Sequence, residues 1–184
     1  MSAEGIPEIR ADGHGLKVTI VASQWHAQVM DGLVAGAQRA LEQAGAEYTL
    51  VRVPGSFELP VAAQAALRVG AAAVVALGVI IRGGPPHFDF VCRAATAGLN
   101  RVALDAGRAV GFGLLTCDDD AQALDRAGLP GSAEDKGGEA AWAALSCTRT
   151  LRALAAGCTP IRSNGDGSPA PSSTPRRRRR ARAR

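Results

Sequence analysis

AAAVVALGVIIRGGPPHFDF (71–90) decides how this chain is built. Its first eleven residues form an unbroken apolar run, the pattern of a parallel strand covered on both faces rather than one wetted on alternate residues. Two glycines and two prolines then end the run, and FDF opens a segment of helical character. An open parallel sheet leaves its ligand crevice outside the carboxyl ends of its strands. His87, just past this strand and after Pro85-Pro86, which restrict the backbone, is therefore expected at a crevice edge.

Working outward, LKVTIVAS (16–23), AEYTLVRV (46–53) and AVGFGLLT (109–116) read as three more strands. Between them the apolar spacing changes to that of helices: 26–45, ended by Gly45; 57–70, with Pro60 early and Gly70 at the end; and 88–107. A short helix is expected over 117–128, a turn over LPGSAEDKGG (129–138) and a last helix over 139–157. Strict β–α alternation with right-handed crossovers gives an α/β fold, a mostly parallel four-stranded sheet between two helical layers.

At 184 residues there is room for one such domain with a substantial core. We divide the chain into an N-terminal arm (1–15), the domain (16–160) and a tail (161–184) built from Ser, Pro, Gly and Arg, which has too little apolar surface to offset the entropy of ordering. Seven arginines lie in the last nine residues; without residues 163–184 the body carries 14 basic and 16 acidic side chains. The basic isoelectric point is thus a property of the tail. With seven aromatics in all, the core is expected to consist of Ala, Val, Leu and Ile. Four cysteines without paired spacing read as reduced thiols, hence a cytoplasmic protein, and no run reaches the roughly 18 apolar residues of a membrane span.

Few residues are left to carry chemistry. Three scattered histidines without Cys/His pairing argue against zinc, and no GxxxxGK[ST] phosphate loop is present. Asp118, Asp119 and Asp120 precede a helix and read as caps rather than as cation ligands. Gly83 and Gly84 stand between a strand and a helix, where backbone N–H groups can hold an anion. His87 has two readings from the residues alone, a structural or merely exposed histidine and a proton shuttle beside that anion site. Trp25, at the end of the first strand, offers an indole face to a flat heterocycle or packs on a helix. Glu58, in VPGSFELP (53–60), is either a first-turn acid that favours the helix dipole or a third group on the same rim.

Together VPGSFELP (53–60), GVIIRGGPPHFDFVC (78–92), FGLLT (112–116), QALDRAG (122–128) and DKGGEAAWAAL (135–145) resemble the lumazine synthase family, in order and in spacing, from about Leu16 to Ala156. The resemblance implies a flavodoxin-like three-layer sandwich. It implies condensation of 5-amino-6-(D-ribitylamino)uracil with 3,4-dihydroxy-2-butanone 4-phosphate in riboflavin biosynthesis, with no redox or metal cofactor. By the same resemblance Trp25 stacks on the uracil, Ser56, Phe57 and Glu58 bind the ribityl chain, and Val79, Ile80 and Ile81 line the pyrimidine. Gly83, Gly84, Pro85 and Arg126 form the phosphate site with Lys136 nearby, and His87 transfers protons. It further implies active sites shared between subunits of a homopentamer, with Phe112 and Arg126 supplied by the neighbour, and names riboflavin synthase as a protein partner. The long GLPGSAEDKG connection (128–137) is similar to that of members that stop at the pentamer and do not build sixty-subunit shells.

Two departures stand out. Pro85 takes a place where the family carries other residues before or at a threonine, removing a backbone N–H and a hydroxyl from the phosphate cradle. Each hydrogen bond lost to a charged group costs on the order of 1.5–3 kcal/mol, so weaker binding of the four-carbon phosphate is expected, and Pro85→Thr should lower its KM. The arginine tail is outside the family pattern. It reads as a solvated extension or as an arm that binds nucleic acid with strong salt dependence, a choice that RNA retention by full-length and truncated chains decides. Two non-enzymatic readings stand beside the enzyme, a flavin- or pteridine-binding homologue that lost turnover and a shell whose basic arms hold polyanions.

Overall fold

A computed structural model describes residues 9–84 and 86–157. The first eight residues of the arm, Pro85 and everything after Gly157, including Cys158 and the arginine tail, lie outside the described residues. The elements are β1 (Lys17–Ser23), α1 (Ala27–Gln43), β2 (Glu47–Val53), a 3-10 turn (Ser56–Glu58), α2 (Leu59–Arg68), β3 (Ala73–Ile81), α3 (His87–Ala106), β4 (Ala109–Cys117), α4 (Asp120–Asp125) and α5 (Lys136–Ala155).

The four strands are all parallel in the order β2-β1-β3-β4, the flavodoxin-like arrangement expected. β3 is central and buried from Ala73 to Val79. Its alternate side chains go to opposite faces: Ala73, Val75, Leu77 and Val79 join the core under α1 and α5, while Val74 and Ala76 join the core under α2 and α3. The two cores are why the run 71–81 is apolar at every position rather than at every second one.

The layer of α1 and α5 packs very closely. A Cβ on Gly137 would lie 2.0 Å from the Leu33 carbonyl oxygen, and one on Gly111 2.2 Å from that of Ala140. Glycine lets these backbones approach side by side. The other layer is less finished: α3 buries only Ala95, Leu99 and Val102 over its twenty residues, and Val61, Phe90 and Leu104 remain exposed. Arg108 fastens this layer at its base, donating to the carbonyls of Leu67 at 2.7 Å and Ala71 at 2.9 Å.

Most element ends fall within two residues of the sequence reading, and two helices depart from it by three. The helix expected over 117–128 spans only 120–125, because Asp119 is its N-cap and accepts from the Gln122 amide at 2.8 Å. The last helix begins at Lys136 instead of 139, since Asp135 caps it by accepting from the Gly138 amide at 2.9 Å. Glycine is disfavoured in a helix by its backbone entropy, but here a side chain on Gly137 would strike the Leu33 backbone and one on Gly138 the capping Asp135 carboxylate. Near the start of the chain, Arg149 holds the end of the arm against α5, donating to the Asp12 carbonyl at 2.7 Å, the Asp12 carboxylate at 2.9 Å and the His14 carbonyl at 2.8 Å.

Candidate active site

The β1–β3 ladder ends at Ala22–Leu77, whereas β3 continues to Ile81 on β4 alone. From Gly78 on, the backbone of β3 therefore has no strand partner on its β1 side. This is also where connections leave β1 and β3 in opposite directions across the sheet, the switch point at which open α/β sheets take ligands. Ile80 and Ile81 are half-buried at this end of β3, whereas the side chain of Val79 is buried in the core.

Each neighbouring strand exit delivers one of the residues singled out from the sequence. Beyond β1, Trp25 is 69% exposed, so within this chain its indole is not buried against a helix. His26 next to it is the only non-glycine residue with positive φ among the described residues, at φ 57, and it is the N-cap of α1. Beyond β2, the Gly55 amide donates to Glu58 Oε2 at 2.9 Å, which fixes the carboxylate and leaves its other oxygen free of that bond. The Ser56 hydroxyl turns inward and donates to the Val79 carbonyl at 3.3 Å, welding the 3-10 turn onto β3. Phe57, between them, is exposed. A side chain on Gly78 would come within 2.8 Å of Ser56 Oγ, so that glycine makes room for the turn.

Beyond β3, Gly83 and Gly84 are exposed, and a Cβ on either would meet nothing within 4 Å. His87 is the first residue of α3 and is exposed, with Pro86 as N-cap. The first turn of a twenty-residue helix, whose leading amides lack intrahelical partners, thus begins beside this exposed loop, a setting that favours an anion. Arg82 braces this loop. Its Nε donates to Asp118 Oδ1 at 2.9 Å, its guanidinium carbon lies 4.2 Å from the centre of the Phe88 ring, and Nη1 is 3.9 Å from Asp89. The bond to Asp118 raises the Arg82 pKa and holds that of Asp118 below the usual carboxylate range. The sequence reading passed over Arg82, because its partner Asp118 is 36 residues away.

The remaining candidates lie elsewhere. Phe112 is in the middle of β4, an edge strand, and 48% exposed. With Arg126 and Lys136 it lines a groove of about 1090 Å³ along β4 and α5, to which Trp25, Glu58 and His87 do not contribute. Arg126 follows α4 and donates to the Gln122 carbonyl at 2.9 Å. Lys136 is only 19% exposed and lies 2.7 Å from Glu134 and 2.8 Å from Glu139. Burial opposes its charge, but the two carboxylates outweigh burial and raise its pKa. Burial likewise raises the thiol pKa of Cys92 and, at the end of β4, of Cys117, which disfavours thiolate chemistry there. Among the described residues no helix is long and apolar enough to cross a membrane.

A doubly wound α/β sandwich, open at its switch point and rimmed by an indole, a carboxylate, an imidazole and a glycine loop at a helix start, is of the class that binds and converts small molecules. Residues 15–152 match the family model described as 6,7-dimethyl-8-ribityllumazine synthase. The chain is 65% identical over 156 residues to the 6,7-dimethyl-8-ribityllumazine synthase of Leifsonia xyli subsp. xyli, covering 84% of this chain and 99% of the relative. Over the same length it is 62% identical to that of Kineococcus radiotolerans and 58% identical to that of Streptomyces avermitilis, with 84% of this chain and 97% of each relative covered. The chain belongs to the 6,7-dimethyl-8-ribityllumazine synthase family.

Proposed function

We propose that this chain is a transferase of riboflavin biosynthesis that condenses 5-amino-6-(D-ribitylamino)uracil with 3,4-dihydroxy-2-butanone 4-phosphate to 6,7-dimethyl-8-ribityllumazine. The observation that carries the reading is the stretch of β3 from Gly78 to Ile81, paired with β4 but with no strand on its β1 side, flanked by Trp25, Glu58 and His87 at three successive strand exits. A planar heterocycle fits there with its edge on backbone N–H and C=O groups and its face on the indole. Glu58, already anchored by Gly55, accepts from ribityl hydroxyls, with Ser56 and Phe57 beside it.

The phosphate of the second substrate lies over Gly83, Gly84 and the start of α3. An amine of the pyrimidine adds to the ketone and water leaves to give an imine. Phosphate then departs by elimination, and the second nitrogen closes the ring with loss of another water. Each step moves a proton between nitrogen, oxygen or carbon, and His87 is the group positioned at the loop to carry it, a contribution of about 10² to 10⁴ in rate. Holding both substrates in register supplies much of the rest.

Arg126 and Phe112 complete the site from an adjacent copy in a ring of five. Their separate groove and the exposed edge of β4 support this division of labour. A guanidinium holds phosphate bidentately, whereas Lys136, engaged by two carboxylates, acts as a screened charge nearby. Sedimentation should give the mass of five chains; sixty would refute the free pentamer. Incubation of the purified chain with both substrates, followed by mass spectrometry of the products, tests the reaction, and a folded protein that forms no lumazine would refute it.

A further inference from the structure

Gly83 and Gly84 are exposed, and a Cβ on either would meet nothing within 4 Å, yet a proton carrier and a phosphate cradle need a fixed loop. We propose that Arg82 is a positioning residue that closes the two ends of this loop on each other and pins them to the exit of β4. The proposal rests on the function inferred above.

The backbone amide of Arg82 donates to the Cys117 carbonyl at 3.0 Å, extending the β3–β4 ladder one residue beyond Ile81. Its side chain then crosses the loop to the first turn of α3, where it stacks on Phe88 and faces Asp89. The span from residue 83 to His87 is thus bracketed by one guanidinium. Asp118 supplies the fixed point, since its own backbone is held as well, the Asp118 amide donating to Gln122 Oε1 at 3.0 Å. An exposed ion pair adds little to global stability, so the contribution of Arg82 is the order of the loop. Its planar fork bonds through one edge while its face covers a ring, which lysine cannot do.

The test compares full-length wild type with Arg82→Ala, Arg82→Lys and Asp118→Asn by the backbone heteronuclear NOE of the amides of Gly83, Gly84, His87 and Phe88, which reports fast loop motion, and by steady-state kinetics. In Arg82→Ala we expect lower NOE values confined to these amides and a KM for the butanone phosphate raised about 10-fold, the scale of a small misplacement. The KM for the pyrimidine should stay within about twofold. Arg82→Lys and Asp118→Asn should show the same pattern more weakly, and Arg82→Ala combined with Asp118→Asn should be no worse than Arg82→Ala alone. Unchanged loop NOE values in Arg82→Ala overturn the proposal whatever the turnover, as do lower values with an unchanged phosphate KM and equal rises in both KM values. A wild-type protein that makes no lumazine removes the functional reading, while the relaxation comparison still decides whether Arg82 orders the loop.

Discussion

Gly137 and Gly83 both lack a side chain, but the two regions use the missing atoms in opposite ways. At Gly137 the space is filled by the backbone of α1, with Leu33 oxygen where a Cβ would be. At Gly83 the space is left empty at the mouth of the site. The first region gains density and rigidity, the second leaves its backbone N–H groups open to a ligand. A change in one should therefore be read in stability, and in the other in kinetics.

The largest expected effect is at the open rim. His87→Ala should lower kcat by about 10² to 10⁴, while the urea midpoint hardly moves, because the side chain is exposed; a loss below threefold would deny it the proton-transfer role. Next is the packed region: Gly137→Ala should cost about 3 kcal/mol of stability, seen as a lower urea midpoint, and a midpoint equal to wild type would mean that α1 and α5 are not in such contact. The matching change at the rim, Gly83→Ala, should alter stability by less than about 0.5 kcal/mol and raise the KM for the butanone phosphate about fivefold, equivalent to roughly 1 kcal/mol. Parallel losses of stability in both alanine variants would erase the contrast.

A smaller effect concerns Lys136. Its pKa is raised in the folded chain, so its stabilisation is present in full below the unfolded lysine value of about 10.4 and disappears as pH rises through the folded value. The melting-temperature gap between wild type and Lys136→Met should accordingly narrow above pH about 10. A gap that stays constant would assign the difference to packing instead of charge.

The strands and the rim were legible because they follow local rules. An apolar run at every position marks β3, and the strand-exit rule alone brings Trp25, Glu58 and His87 together. Asp119 was equally readable as a cap. What could not be read depends on distant partners. Gly137 and Gly138 look like a turn until Leu33 is known to pass beside them. Arg82 acquires its meaning from Asp118, and Asp12 from Arg149, 137 residues on. The left-handed backbone of His26 leaves no mark, since the pattern around it reads simply as the start of a helix. The neighbour's share of the site, Phe112 and Arg126, came from family resemblance, for nothing in the periodicity of β4 distinguishes a face meant for another copy.

The chain has two tryptophans, one at each end of α1, separated by roughly 25 Å of helix. Trp25 is open to solvent at the rim, whereas Trp142 is partly covered by the arm, with the Arg10 guanidinium 4.7 Å from its ring centre. Intrinsic emission thus carries two separable signals. In a Trp142→Phe background, quenching would report only the arrival of a heterocycle on Trp25, and in a Trp25→Phe background the remaining indole would report undocking of the arm, giving binding and arm motion independent optical readouts without an added dye.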